Sequence, residues 1–135
     1  SRLDELHASI LNYKLNFLDK DNNERIQIAN YYIKNIKNNK IILPKLEKYK
    51  RHVFHHFVIR VKERSKLRKI LYSNGFNLGI HYELPLHKHK IISNKYKNIK
   101  LQLTERISKE IISLPIYQGL QKRYLKKLVD ILNNY

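Results

Sequence analysis

The stretch RHVFHHFVIRVKERSKLRKIL, residues 51–71, decides the fold class. From Val53 the chain alternates with a period of two. Val53, His55, Phe57, Ile59 and Val61 fall on one side, and Phe54, His56, Val58 and Arg60 on the other. Successive side chains of an extended chain point to opposite faces, so this alternation predicts a largely buried strand, on which His55 is a hydrogen-bonded structural histidine. From Glu63 to Ser73 the period becomes helical through Leu67, Ile70 and Leu71, and Asn74 with Gly75 supplies the left-handed stop that ends helices.

Toward the N-terminus, Leu3, Leu6, Ile10, Tyr13 or Lys14, Phe17 and Leu18 recur at three- and four-residue spacing, one apolar helical face, with Ser1 and Asp4 as candidate caps. After Asp21, Asn22 and Asn23, a second helix is marked by Ile26, Ala29, Ile33 and Ile36 and ends at Asn38 and Asn39; Ile41 to Pro44 is a short extended piece. Toward the C-terminus, Phe76 to Tyr82 is expected as a second strand, then a loop with Pro85 and His81, His87 and His89, then a lysine-rich stretch to Lys100. Thr104 can cap a helix to Ser113 with Glu105 in its first turn. Leu114 to Ile116 is extended, and a last helix from about Leu120 turns Tyr124, Leu125, Leu128 and Ile131 or Leu132 inward. The order predicts an α+β fold, a small sheet covered on one face by helices. Residues 1–39 are expected as connecting helices and 40–135 as a small domain. So small a sheet is marginal alone, so the N-terminal helices expect a further surface to cover them, and self-association is expected in its absence.

With 135 residues, 42% of them hydrophobic, the chain can bury one core. It has no cysteine, which excludes disulfides and thiolate chemistry. No apolar run approaches the about 20 residues that cross a bilayer, and the first residues lack the order of a signal peptide, so a cytoplasmic chain without membrane contact is expected. The net charge of +17 is what a nucleic-acid-binding domain often shows. Here the cations are mostly lysines spread along the chain, and no aromatic RNA-binding motif, zinc-finger spacing or GXXG loop is present. Solvated lysine-rich faces are therefore the better reading, with no nucleic-acid partner.

No nucleophile elbow, phosphate-cradling glycine loop or carboxylate pair is visible. His55 and His56 are adjacent in a strand and point apart. His81, His87 and His89 share no recognised zinc spacing, so no metal is expected. His81 and Tyr82, beside Gly79 at the end of an element, are candidates to face a ligand.

Four stretches occur in a telling order: SRLDELHASIL at 1–11, RHVFHHFVIRVKERSKLRKIL at 51–71, GIHYELPLH at 79–87 and SLPIY at 113–117. Together they resemble the C-terminal landmarks of the DegT/DnrJ/EryC1/StrS sugar aminotransferases. The resemblance implies the C-terminal portion of a fold-type I subunit: the helix leaving the large cofactor domain, then the small domain. It implies a homodimer that moves an amino group, typically from glutamate, to a keto group on a nucleotide-linked deoxysugar, in cell-surface polysaccharide or related sugar biosynthesis, with pyridoxal phosphate as cofactor. In this family the Schiff-base lysine lies upstream of the Arg-Leu-Asp-Glu landmark. None of Lys14, Lys20 or the later lysines is thus expected in that role, no catalytic residue is assigned, and the chain alone is expected to be inactive. By the same resemblance Arg2 is a candidate for the cofactor-phosphate region across a dimer interface, with a salt bridge to Asp4 or Glu5 as its bland alternative. His81, Tyr82 and His87 are implied to line the sugar-nucleotide pocket. The chain departs from the family pattern at Glu83, at His89 and Lys90, and at Gln118 and Gly119. The alternative reading is a stand-alone basic module that binds nucleic acid or another polyanion.

Overall fold

A computed structural model describes residues 2–47, 50–96 and 98–135. Helices α1 (Glu5–Leu15) and α2 (Leu18–Asn35) lead into β1 (Ile41–Ile42) and β2 (Phe57–Val61). Then come α3 (Arg64–Ser73), a 3-10 turn at Leu86–Lys88, α4 (Lys90–Tyr96), α5 (Gln102–Glu110), β3 (Ile111–Leu114) and α6 (Lys122–Asn133). The sheet is antiparallel in the order β1-β2-β3, with Ile41 opposite Val61, Phe57 opposite Leu114 and Ile59 opposite Ile112. None of the helices described is long and apolar enough to cross a membrane.

The sheet differs from the sequence expectation in three places. The strand begins at Phe57 rather than Val53, because Phe54 takes φ 49° and its amide donates to His52 Nδ1 at 2.9 Å, which turns the chain out of the extended region. His55 is consequently exposed and not a core histidine. Residues 76–82 do not form a strand; Gly79 O accepts one bond, from Ser113 N at 2.9 Å. The third strand is instead Ile111–Leu114, where the expected helix to Ser113 stops at Glu110. All four strand residues are buried, so pairing with β2 and packing outweigh the helical spacing that Ile107 and Ile111 continue. Helix α5 also starts before Thr104, at Gln102, and the Glu105 carboxylate reaches back to the Leu101 amide at 3.1 Å.

One core gathers α2, the sheet, α3 and α6. It runs from Ile28, Ala29, Tyr32 and Ile36 through Phe57, Ile59 and Val61 to Leu125, Leu128, Val129 and Leu132. Burying a side chain such as Leu128 contributes about 1.5–3 kcal/mol. On α6 the inward face is the expected Leu125–Leu128–Leu132 stripe, while Tyr124 stays 45% exposed. The expected stop after α3 forms: Gly75 has φ 89°, and Phe76 N bonds back to Leu71 O at 2.8 Å. Two ties hold α2 to the chain leaving β3, Tyr32 Oη to Pro115 O at 2.8 Å and Arg25 Nη1 to Ile116 O at 2.9 Å. Helix α1 contributes no buried residue. The expected stripe of Leu3, Leu6, Ile10, Tyr13, Phe17 and Leu18 is 42–70% exposed, and it does not stay on one helix, because α1 ends at Leu15 and Leu18 opens α2. Asp4 caps α1 by accepting from the His7 amide at 2.9 Å, and the expected cap at Ser1 lies outside the described residues.

Candidate functional site

The loop from Gly79 to His89 is strapped to the flank of β3 and α5 at several points. Ser113 on β3 donates its amide to Gly79 O and places Oγ 2.9 Å from His81 Nδ1. Arg64, at the start of α3, spans Ser108 O at 2.6 Å and the Glu83 carboxylate at 2.8 Å. Glu83, a departure from the family pattern, is thus an anchor of the loop. His87 is 8% exposed, and its Nε2 lies 3.0 Å from Glu105 Oε1, which Lys88 Nζ also approaches at 3.4 Å. The His87 bond, then the Leu101 amide, then Lys88 hold the Glu105 carboxyl down at about 2.

These ties leave the other face of the loop outward. His81 and Tyr82 are both exposed, Tyr82 by 74%, with their rings edge to face at 5.6 Å. The His81 ring stacks on His56 at 4.2 Å and 18°, and His56 in turn meets His55 at 4.3 Å. Partial loss of hydration, and then His81, His55 and Arg25, keep His56 below the ordinary imidazole value. The result is a flat row of imidazole and phenol groups, able to bond to oxygen-rich ligands while offering apolar ring faces.

The sequence-implied residues thus separate. His81 and Tyr82 lie together on the exposed face, whereas His87 sits beneath the loop as a support. Arg2 is exposed ahead of α1 and forms no salt bridge with Asp4 or Glu5; Asp4 pairs with His7 at 2.6 Å. His89 faces back onto Leu84 O at 3.2 Å. No group of three side chains able to hold a metal ion forms among the described residues. Sequence reasoning missed Ser113 and His56 as supports of His81; Ser113 opens the SLPIY landmark and His56 lies within the 51–71 one, the only signals that pointed to them.

The family model described as the DegT/DnrJ/EryC1/StrS aminotransferase family matches residues 1–133. The chain belongs to this family. It is 42% identical over 135 residues to the dTDP-3-amino-3,6-dideoxy-alpha-D-galactopyranose transaminase of Aneurinibacillus thermoaerophilus, a match covering 100% of this chain and 37% of that protein. It is 27% identical to the UDP-2-acetamido-2-deoxy-3-oxo-D-glucuronate aminotransferase of Pseudomonas aeruginosa, over 99% of this chain and 37% of the relative. Among solved structures, S. venezuelae DesV in complex with a ketimine intermediate superposes with a TM-score of 0.91 at 26% identity, over 98% of this chain and 36% of that one. A family aminotransferase from Brucella abortus gives 0.87, also at 26% identity, over 98% and 36%. The chain therefore spans little more than a third of the length of these relatives. The α+β fold expected from the sequence is the fold of the matching portion of these enzymes, and the stand-alone basic module is left without support.

The family's cofactor, pyridoxal phosphate, needs a lysine in an enclosed, desolvated setting to form its imine. Every lysine whose surroundings are described here is exposed. Among the described residues no lysine is so enclosed, and the His81–Tyr82 face offers hydrogen-bonding groups and ring faces to solvent.

Proposed function

We propose that the whole protein is a pyridoxal-phosphate-dependent aminotransferase. It transfers an amino group from an amino acid such as glutamate to the keto group of a nucleotide-linked deoxysugar, in cell-surface polysaccharide or related sugar biosynthesis. The observation that carries this reading is the exposed His81–Tyr82 face, held on a strapped loop, in a chain that matches a sugar aminotransferase family from residue 1 to 133. The cofactor supplies the electron sink for amino transfer. Residues 1–39 supply the connecting helices and 40–135 the small domain: His81 Nε2 and Tyr82 Oη bind sugar or diphosphate oxygens, and His87 with Glu105 holds the loop that carries them. Arg2 reaches the cofactor-phosphate region of a second subunit in a cytoplasmic homodimer, and the apolar stripe of α1 is covered in that assembly.

An absorbance titration of the 135-residue chain with pyridoxal phosphate, followed by borohydride trapping, tests the division of labour. The reading predicts no stoichiometric adduct at a single lysine. A one-to-one adduct at one lysine of this chain would place the cofactor amine within these residues and overturn it.

A further inference from the structure

Ser113 touches the Gly79–His81 segment twice from one residue. Its amide donates to Gly79 O at 2.9 Å, and its hydroxyl lies 2.9 Å from His81 Nδ1. Ser113 itself is 7% exposed and sits on the buried strand β3, so neither contact moves without the sheet. The imidazole is also confined on its faces. His56 stacks against it at 4.2 Å, and the α-carbon of Gly79 lies so close that a methyl group there would stand 2.8 Å from His81 Cε1. A buried hydroxyl must satisfy its own proton, and the Ser113 hydroxyl has no other acceptor among the described residues than His81 Nδ1. A proton pointing from Ser113 to Nδ1 satisfies that hydroxyl. The neutral ring then carries its own proton on Nε2, the nitrogen for which no protein partner is described.

We propose that Ser113 and His56 are positioning residues: Ser113 sets His81 as an Nε2–H donor, His56 holds the plane of that ring, and together they aim the donor at an oxygen of the bound nucleotide sugar. The inference rests on the proposed sugar-nucleotide reading of the loop and adds to it the hydrogen-bonding polarity of the site. A donor in this place recognises a keto, hydroxyl or phosphate oxygen and discriminates against a ligand group that can only donate. Fixing the donor beforehand spares the ordering cost that a freely rotating imidazole would impose on binding. A β-carbon at position 79 would stand 2.8 Å from His81 Cε1, so a side chain there requires the ring or the loop to shift.

The test is long-range proton–nitrogen NMR of the histidine side chains in the whole protein labelled with 15N-histidine, alone and with dTDP-glucose as the probe. The proposal predicts that His81 is protonated on Nε2 with a hydrogen-bonded Nδ1. Ser113→Ala moves the Nδ1 resonance toward that of a free neutral imidazole, and Ser113→Thr, which keeps the hydroxyl, restores it. In the whole enzyme Ser113→Ala raises KM for the nucleotide sugar about fivefold, the ordinary worth of one neutral hydrogen bond, and leaves KM for the amino donor unchanged. If Ser113→Ala does not fold, Gly79→Ala displaces the same ring without touching the hydroxyl and must likewise move the His81 resonances. A proton found on Nδ1 of His81, or His81 resonances indifferent to both substitutions, overturns the proposal. A separate result bears on the parent reading alone: if dTDP-glucose does not shift the His81 or Tyr82 signals of the wild-type protein, the loop is not the sugar-nucleotide face, whatever the Ser113 result.

Discussion

Tyr32→Phe isolates one hydrogen bond that ties α2 to the strand carrying Ser113. Tyr32 is fully buried, its ring packs against Phe57 at 5.0 Å, and its hydroxyl donates to Pro115 O at 2.8 Å. The substitution removes only the oxygen, so ring packing survives and no cavity beyond the hydroxyl is left. Pro115 is half-buried, so its carbonyl regains water and avoids the full penalty of an unpaired acceptor. The expected loss is therefore about 1 kcal/mol. For a domain of this size that corresponds to a fall in Tm of roughly 3–5 °C. Tyr32→Ala, which also opens a cavity against Phe57, should cost about 3–5 kcal/mol. Urea unfolding followed by circular dichroism reads both, with the midpoint moving and the slope m unchanged. Burial holds the Tyr32 phenol above its ordinary value. A raised phenol favours the folded state below the unfolded pKa and loses that advantage only as pH rises through the folded one, so the Tyr32→Phe difference should be equal at pH 7 and pH 9. A Tyr32→Phe protein within experimental error of wild type would show that the Pro115 contact holds nothing. A loss equal to that of Tyr32→Ala would show that the bond, not the ring, carries the whole contribution.

The remaining expectations concern the loop and the open helix. The Glu105 carboxyl is held at about 2, below its ordinary value of 4.5, so its contribution is present above about 4.5 and lost as pH falls toward 2. Urea midpoints measured from pH 6 down to pH 3 should converge for wild type and Glu105→Gln at the acid end. Gly79→Ala should change the urea midpoint little while displacing the His81 ring, seen as altered ring-current shifts on His56. The chain alone should self-associate through the exposed stripe of α1, and Leu6→Glu with Ile10→Glu should return it to monomer in sedimentation velocity. A wild-type monomer across the concentration range would count against that role for the stripe.

Two helices were the legible part of the fold through their periodicity, whereas α4 in the lysine-rich stretch was not expected and α2 begins at Leu18, before the Asp21–Asn23 break that the spacing suggested. Helix α3, with its Asn74–Gly75 stop, and the inward stripe of α6 follow the spacing of their apolar residues. The strands were harder, because short apolar runs read equally as helix or strand and pairing decides between them. Ile111 and Ile112 continue the spacing of α5, yet they pair with Arg60 and Ile59, a partner some fifty residues earlier in the chain. At Val53–His56 the alternation is present in the sequence, but Phe54 folds back onto His52 and ends it. Within the candidate site, the GIHYELPLH landmark singled out His81, Tyr82 and His87 alike, but it gave no sign that His87 is buried while the other two are exposed. Its partner Glu105 stands in a different element, as does Ser113, which is 32 residues from His81. Residues that support a site from such separations leave no local pattern.

The measurement that tests the central claim most directly is amino transfer by the whole protein. It would be supplied with pyridoxal phosphate, glutamate and a dTDP-linked keto-deoxysugar, with 2-oxoglutarate release followed by glutamate dehydrogenase coupling. The account predicts 2-oxoglutarate formed mole for mole with amino sugar, and a rate that falls when His81 or Tyr82 is replaced by alanine. Absence of 2-oxoglutarate with every dTDP- and UDP-linked keto sugar offered, in a protein that binds its cofactor, would contradict it.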